Sequence, residues 1–187
     1  TGDLVATGLA SGTTVNASAV VTGNALHIRK TIPTFTKNVA NTTVLTPGVQ
    51  DVFLLDITAD AAANVLFDVG SVGGTYVAGT GLLNFTVSES GTMTGGAASL
   101  IRKSSNTTLA SLTIADGDTR LVFNFEDSQL TVAAGTTETV IVRVDTTGLG
   151  TSGNSFGLTL SSDTSSTVSV TVGTNPGDKV RWNDDAA

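Results

Sequence analysis

His27 is the only histidine in the chain, so any Ser-His-Asp triad would have to be built on it. It stands in the alternating run Leu26-His27-Ile28-Arg29, and no serine has the Gly-x-Ser-x-Gly surroundings of a nucleophile elbow. A sheet-facing or surface histidine is therefore expected. Carboxylates pair at Asp116/Asp118, Glu126/Asp127 and Asp184/Asp185. Glycoside hydrolysis needs two carboxyls about 5–10 Å apart, in a cleft with rings for a sugar to stack on, and one Trp and one Tyr supply few rings. These acids are expected in solvated turns, and the chain is expected not to be an enzyme.

Oxygen-rich loops remain. Calcium binds through oxygens alone, and the turn Asp116-Gly117-Asp118 and the loop from Asp145 to Asn154 offer them, so Asp116, Asp118 and Asp145 are the candidate metal ligands. Neither segment has EF-hand or Gly-Gly-x-Gly-x-Asp spacing. Apart from calcium no cofactor is expected. Asn16-Ala-Ser18, Asn41-Thr-Thr43, Asn84-Phe-Thr86 and Asn106-Thr-Thr108 are glycosylation sequons, which a chain so rich in Asn and Thr produces by chance. The basic doublets Arg29-Lys30 and Arg102-Lys103 close alternating stretches, where they either blunt strand edges or meet an acidic patch on a neighbouring subunit. Lys30, Lys37, Lys103 and Lys179 could enter Lys–Asn isopeptide bonds, but nothing in the sequence sets one beside an Asn and an acid.

The elements that would position these residues are strands. Hydrophobic residues make up 40% of the 187, aromatics only 5% and charged residues only 13%, about half the usual charged share of roughly 25%. Thr, Ser, Gly and Val fill the difference, which is the composition of a folded β protein and not of a linker. Nine basic against sixteen acidic residues, net −7, cannot neutralise a row of phosphates, so neither nucleic acid nor an anionic membrane surface is an expected partner. No apolar run reaches the roughly 18 residues of a membrane span. Cysteine is absent, and with so much Thr and Ser this fits an extracellular or cell-surface location. The chain begins at Thr1, as expected after loss of a signal peptide or for a piece of something longer.

Period-two alternation marks strands at Val15–Val21, Leu26–Arg29, Val52–Ile57, Leu82–Val87, Leu121–Phe125, Thr139–Val144 and Val168–Val172. Turn signals separate them, among them Pro47-Gly48, Gly95-Gly96, Asp116-Gly117-Asp118, Ala134-Gly135 and Pro176-Gly177. Only Asp60–Asn64 could form a helical turn, and an Ala-rich connection between strands serves as well. Leu130 and Val132, with Val140, Val142 and Val144, flank an Ala-Gly turn as a hairpin or a sheet-crossing pair. Pro33 confines its strand to an edge or to its last residue, since proline cannot donate to a ladder. An all-β sandwich or barrel follows, with Phe53, Leu55, Phe67, Phe85, Phe123, Phe125, Val142, Val144 and Trp182 largely buried.

The pattern divides unequally. Residues 1–23 contain no aromatic, whereas every Phe, Tyr76 and Trp182 lie beyond them, so 24–187 should form the self-sufficient domain and 1–23 an arm or edge strand that needs a host sheet. Three segments, Ala25–Thr34, Leu130–Asp145 and Val180–Asp184, resemble in order and separation a module of large secreted surface proteins of uncultured candidate-phyla bacteria. That module carries L-x-h-R-K-x-x-P-T, h-x-h-x-A-G-T-T-x-T and W-x-D motifs. The resemblance covers about residues 25–187 and implies an immunoglobulin-like β-sandwich at the cell surface, without catalytic residues.

A structural subunit of an extracellular filament or surface layer is the expected function, its partners copies of itself. The arm would add as a donor strand to a neighbour, with Leu4, Val5, Leu9, Val15, Val20 and Val21 filling the neighbour's groove. An ordinary first strand of the same domain is the other reading of the arm. The alternative functions are an adhesive or ligand-binding surface module and a phage or capsid decoration protein.

Overall fold

The computed structural model describes residues 5–7, 14–16, 30–38, 45–67, 81–125 and 129–161, with Val180 and Trp182. Among them there is no helix, and twelve strands form four antiparallel sheets. β1 (Val5–Thr7) and β2 (Thr14–Asn16) pair with each other. Five strands make the largest sheet, in the order β3 (Thr34–Asn38), β4 (Val49–Thr58), β11 (Thr137–Asp145), β7 (Gly96–Arg102) and β8 (Thr107–Ile114). Opposite it lies β12 (Ser155–Leu160), β6 (Leu82–Ser90) and β9 (Arg120–Asn124). A short ladder of β5 (Val65–Phe67) with β10 (Leu130–Val132) completes the set.

Alternation explains how the sheets face each other. Phe53, Leu55 and Ile57 of β4, with Val140, Val142 and Val144 of β11, turn into the same buried cluster as Leu83, Phe85 and Val87 of β6 and Leu121 and Phe123 of β9. Rings bridge the two layers: Phe53 meets Phe85 edge-on at 5.4 Å, and Phe85 meets Phe123 at 6.0 Å. At the β5–β10 end Phe67 stacks on Phe125 at 5.1 Å. All the residues expected in the core are buried except Trp182, which is half-buried and packs against the cluster beside buried Val180.

The Ala-Gly segment is a crossing and not a hairpin. β10 pairs with β5, and the chain then turns through Ala133–Thr136 into β11, which pairs with β4 and β7. That turn closes by Thr136 N–H donating to Ala133 O at 3.0 Å, with Gly135 at φ +70°, a conformation glycine adopts without steric cost. Asp60–Asn64 is a turn as well: Asp60 Oδ1 accepts from Ala62 N–H at 2.9 Å, and Asn64 Oδ1 accepts from Ala134 N–H at 3.0 Å. Pro33 immediately precedes β3, an edge strand, as a residue without an N–H requires. The proposed strands at 26–29 and 168–172 lie outside the described residues.

Candidate functional site

Where β3 and β12 approach each other, the two sheets leave a cleft of about 270 Å³ lined by Phe35, Lys37, Phe53, Leu55, Leu158, Thr159 and Leu160. Its floor comes from β4 and its rims from the two edge strands. Phe35 and Leu160 are half-buried against the core, and the Lys37 ammonium sits 5.5 Å from the centre of the Phe53 ring. The cleft is an apolar trough with one cationic rim, and no carboxylate lines it.

The edge strands differ. β3 carries Lys37, a charge that discourages a strand from pairing outward, whereas β12 reads Ser-Phe-Gly-Leu-Thr-Leu with neither charge nor proline. β12 has β6 as its only partner among the described strands. Sequence reasoning missed Phe35, Leu158 and Leu160 as site residues. Neither Thr34–Asn38 nor Ser155–Leu160 is among the alternating segments read from the sequence, and nothing local says that strands more than a hundred residues apart border one cleft.

Of the arm residues expected to act in assembly, Val5 lies in β1 opposite Asn16, and Val15 lies in β2 opposite Ala6. Leu4, Leu9, Val20 and Val21 lie outside the described residues. The described part of the arm thus forms a two-stranded ladder that belongs to neither facing sheet.

The acidic candidates share one end of the five-stranded sheet, where β8 and β11 end and β7 begins. Asp118 and Asp145 shape their own turns, and Asp116 ties its turn to the segment that follows β6. Asp116 Oδ1 accepts from Met93 N–H at 2.8 Å, and Asp118 Oδ2 accepts from Ala115 N–H at 2.8 Å across Gly117 at φ +78°. Asp145 Oδ1 accepts from Thr147 N–H at 3.0 Å and Thr147 Oγ1 at 2.6 Å, and these bonds hold its carboxyl below the usual aspartate range.

Glu89, at the end of β6, lines a depression together with Asp116 and Asp118. Burial raises its pKa most, followed by the hydrogen bond to Asp116 and the repulsion of both aspartates, against a lowering by the Gly117 backbone. Glu89 Oε2 is enclosed without a hydrogen-bond partner. Among the described residues no group of three or more His, Cys, Asp or Glu side chains is arranged to hold a metal ion.

The remaining candidates separate by environment. Arg102 sits in an inner strand and not at an edge: its Nη2 donates to Thr131 O at 3.0 Å, and its Nε lies 3.4 Å from Glu138 Oε2, an ion-pair contact. It ties β7 to β10 and β11. Asn84 is fully buried in β6 and unavailable to a glycan in the folded chain, whereas Asn106 is exposed in the β7–β8 turn at φ +52°. His27, Asn41, Tyr76, Glu126, Asp127, Asp184 and Asp185 lie outside the described residues. No described helix is long and apolar enough to cross a membrane. Comparison with protein-family models, curated proteins and solved structures finds no match to the chain.

Proposed function

We propose that this chain is a structural subunit of an extracellular filament or surface layer, an immunoglobulin-like β-sandwich whose N-terminal arm, residues 1–23, joins it to further copies by strand addition. The observation that carries this reading is the contrast between a core complete in aromatic and aliphatic side chains and an arm whose described strands pair only with each other. A lone two-stranded ladder is marginal in water. It gains most by adding to an existing sheet, and an open sheet edge is the place where main-chain hydrogen bonds are on offer.

The resemblance to modules of secreted surface proteins supports the cell-surface setting, and so does the cysteine-free, Thr-rich composition. A catalytic role is not proposed: the acids at 116, 118 and 145 each accept a backbone N–H bond that fixes local chain geometry. A head-to-tail contact of this type is heterologous and produces a filament unless its rotation closes a ring.

Negative-stain electron microscopy tests the reading. The chain should form fibres or sheets, and deletion of residues 1–23 should leave folded monomers. Monomers from the intact chain at high concentration would favour the adhesive module, and ordered binding to capsids alone would favour the decoration protein. If the truncated chain forms the same assemblies, the arm is not the donor.

A further inference from the structure

We infer, resting on the strand-addition reading above, that the acceptor for the arm is the cleft between β3 and β12 of a second copy, and that the outer edge of β2 adds to β12 there. The sheets are unequal. Five strands face three, and β12 lies across from β4, the neighbour of β3, so the next position beyond β12 lies across from β3. A strand added to β12 would occupy that position. It would cover half-buried Phe35 and Leu160 at the rims, above the buried floor of Phe53 and Leu55.

Among the described strands β12 is, like β8, an edge with neither charge nor proline, and of the two it is the one that borders the cleft. Lys37 guards β3, and nothing comparable stands on Ser155–Leu160. The charges match the occupant. Lys37 is the one charged residue lining the cleft, and Asp3 is the one ionisable side chain in residues 1–23. The donor otherwise brings only small and β-branched side chains, so inserting it desolvates no charge.

Chain length allows the exchange. Residues 17–29 separate β2 from Lys30, where the described domain begins beside β3. Fully extended, such a tether reaches on the order of 40 Å at about 3.3–3.6 Å per residue. That length suffices for β2 to leave its own domain for a neighbour's. Because β2 pairs with β1 along one side only, its other edge can dock without opening the hairpin.

The chain has no cysteine, so engineered thiols report the contact directly. Chains carrying Val15→Cys are mixed with chains carrying Cys at Leu158, Thr159 or Leu160, assembled, and oxidised. Mixed disulfides between copies at one or more of these positions are expected. Leu160→Arg, at a half-buried strand end, should raise the concentration needed for assembly by more than tenfold while the far-UV circular dichroism stays unchanged. Assemblies that form without any mixed disulfide overturn the cleft assignment and leave the filament reading standing. If the intact chain never assembles, that reading falls and takes this one with it. An intrachain disulfide in the dilute Val15→Cys/Leu160→Cys double variant means that each arm fills its own cleft. A Leu160→Cys/Val170→Cys bridge within one chain means that the segment after β12 is the occupant. Either bridge overturns the inference.

Discussion

The two-sheet core and the N-terminal hairpin are built from similar β-branched residues and differ in what stands behind them. In the core Val142 of β11 pairs with Phe53 of β4, and Phe53 packs edge-on against Phe85 of the opposite layer. In the hairpin the rungs Val5–Asn16, Ala6–Val15 and Thr7–Thr14 have only each other as sheet partners among the described strands. Strand propensity is the same in both places, but a two-stranded ladder is marginal without a further strand or a packed face behind it.

The sharpest way to expose that difference is to remove one side chain from each region. Phe85→Ala takes out the fully buried ring that touches both Phe53 and Phe123 and should cost about 3–5 kcal/mol in urea denaturation. Val15→Ala should change unfolding stability by less than about 0.5 kcal/mol while weakening assembly. Equal costs at the two sites would show that the arm belongs to the core.

A second, smaller cluster tests how much of the stability lies outside the main core. Leu54, Ile101 and Ile141 form a stripe on the other face of the five-stranded sheet, on directly opposed rungs of β4, β11 and β7. Ile141→Val should cost about 0.5–1.5 kcal/mol, the usual range for that truncation, and thermal unfolding should place it between Phe85→Ala and Val15→Ala.

That stripe marks the limit of what the sequence revealed. Phe53, Leu55 and Ile57 were legible because period two puts them on one face, and the absence of aromatics before residue 24 was legible as a weakness of the arm. Leu54 breaks the alternation, and only the register with Ile141 and Ile101 explains why an apolar residue tolerates the outer face. The cleft was hidden for the same reason, since β3 and β12 meet through long-range topology. Asp116 and Asp118 were legible as a turn pair, but Glu89 joins them from the end of β6, a proximity that spacing along the chain does not encode.

Surface charge should matter less than any of these. The β-bulge at Val142/Arg143 sets Arg143 opposite Asp51, where Nε donates to Oδ1 at 2.6 Å and Nη2 to Oδ2 at 3.3 Å, and the carboxylate raises the guanidinium pKa. Both side chains are more than a third exposed. A double-mutant cycle with Arg143→Ala and Asp51→Ala should therefore return a coupling of no more than about 1 kcal/mol, falling as salt is added.

The smallest effect has a sign that distinguishes two carboxyls at the same end of the molecule. Glu89 has its pKa raised in the folded chain, first by burial and then by Asp116, so its ionised form opposes folding. Its unfavourable contribution is present at neutral pH and disappears as pH falls through the raised folded value toward the ordinary glutamate value. Asp145 is the reverse: Thr147 lowers its pKa, so its favourable contribution is present above the ordinary aspartate value and is lost as pH falls through the lowered one. Glu89→Gln should therefore raise the melting temperature at pH 7 and lose that advantage on acidification. Asp145→Ala should lower the melting temperature at pH 7 and converge on the parent in acid. Melting curves of both variants across pH 3–8 should diverge from the parent in opposite directions as pH rises. A Glu89→Gln variant less stable than the parent at pH 7 would mean that the Glu89 carboxylate is held by a favourable contact that outweighs its burial.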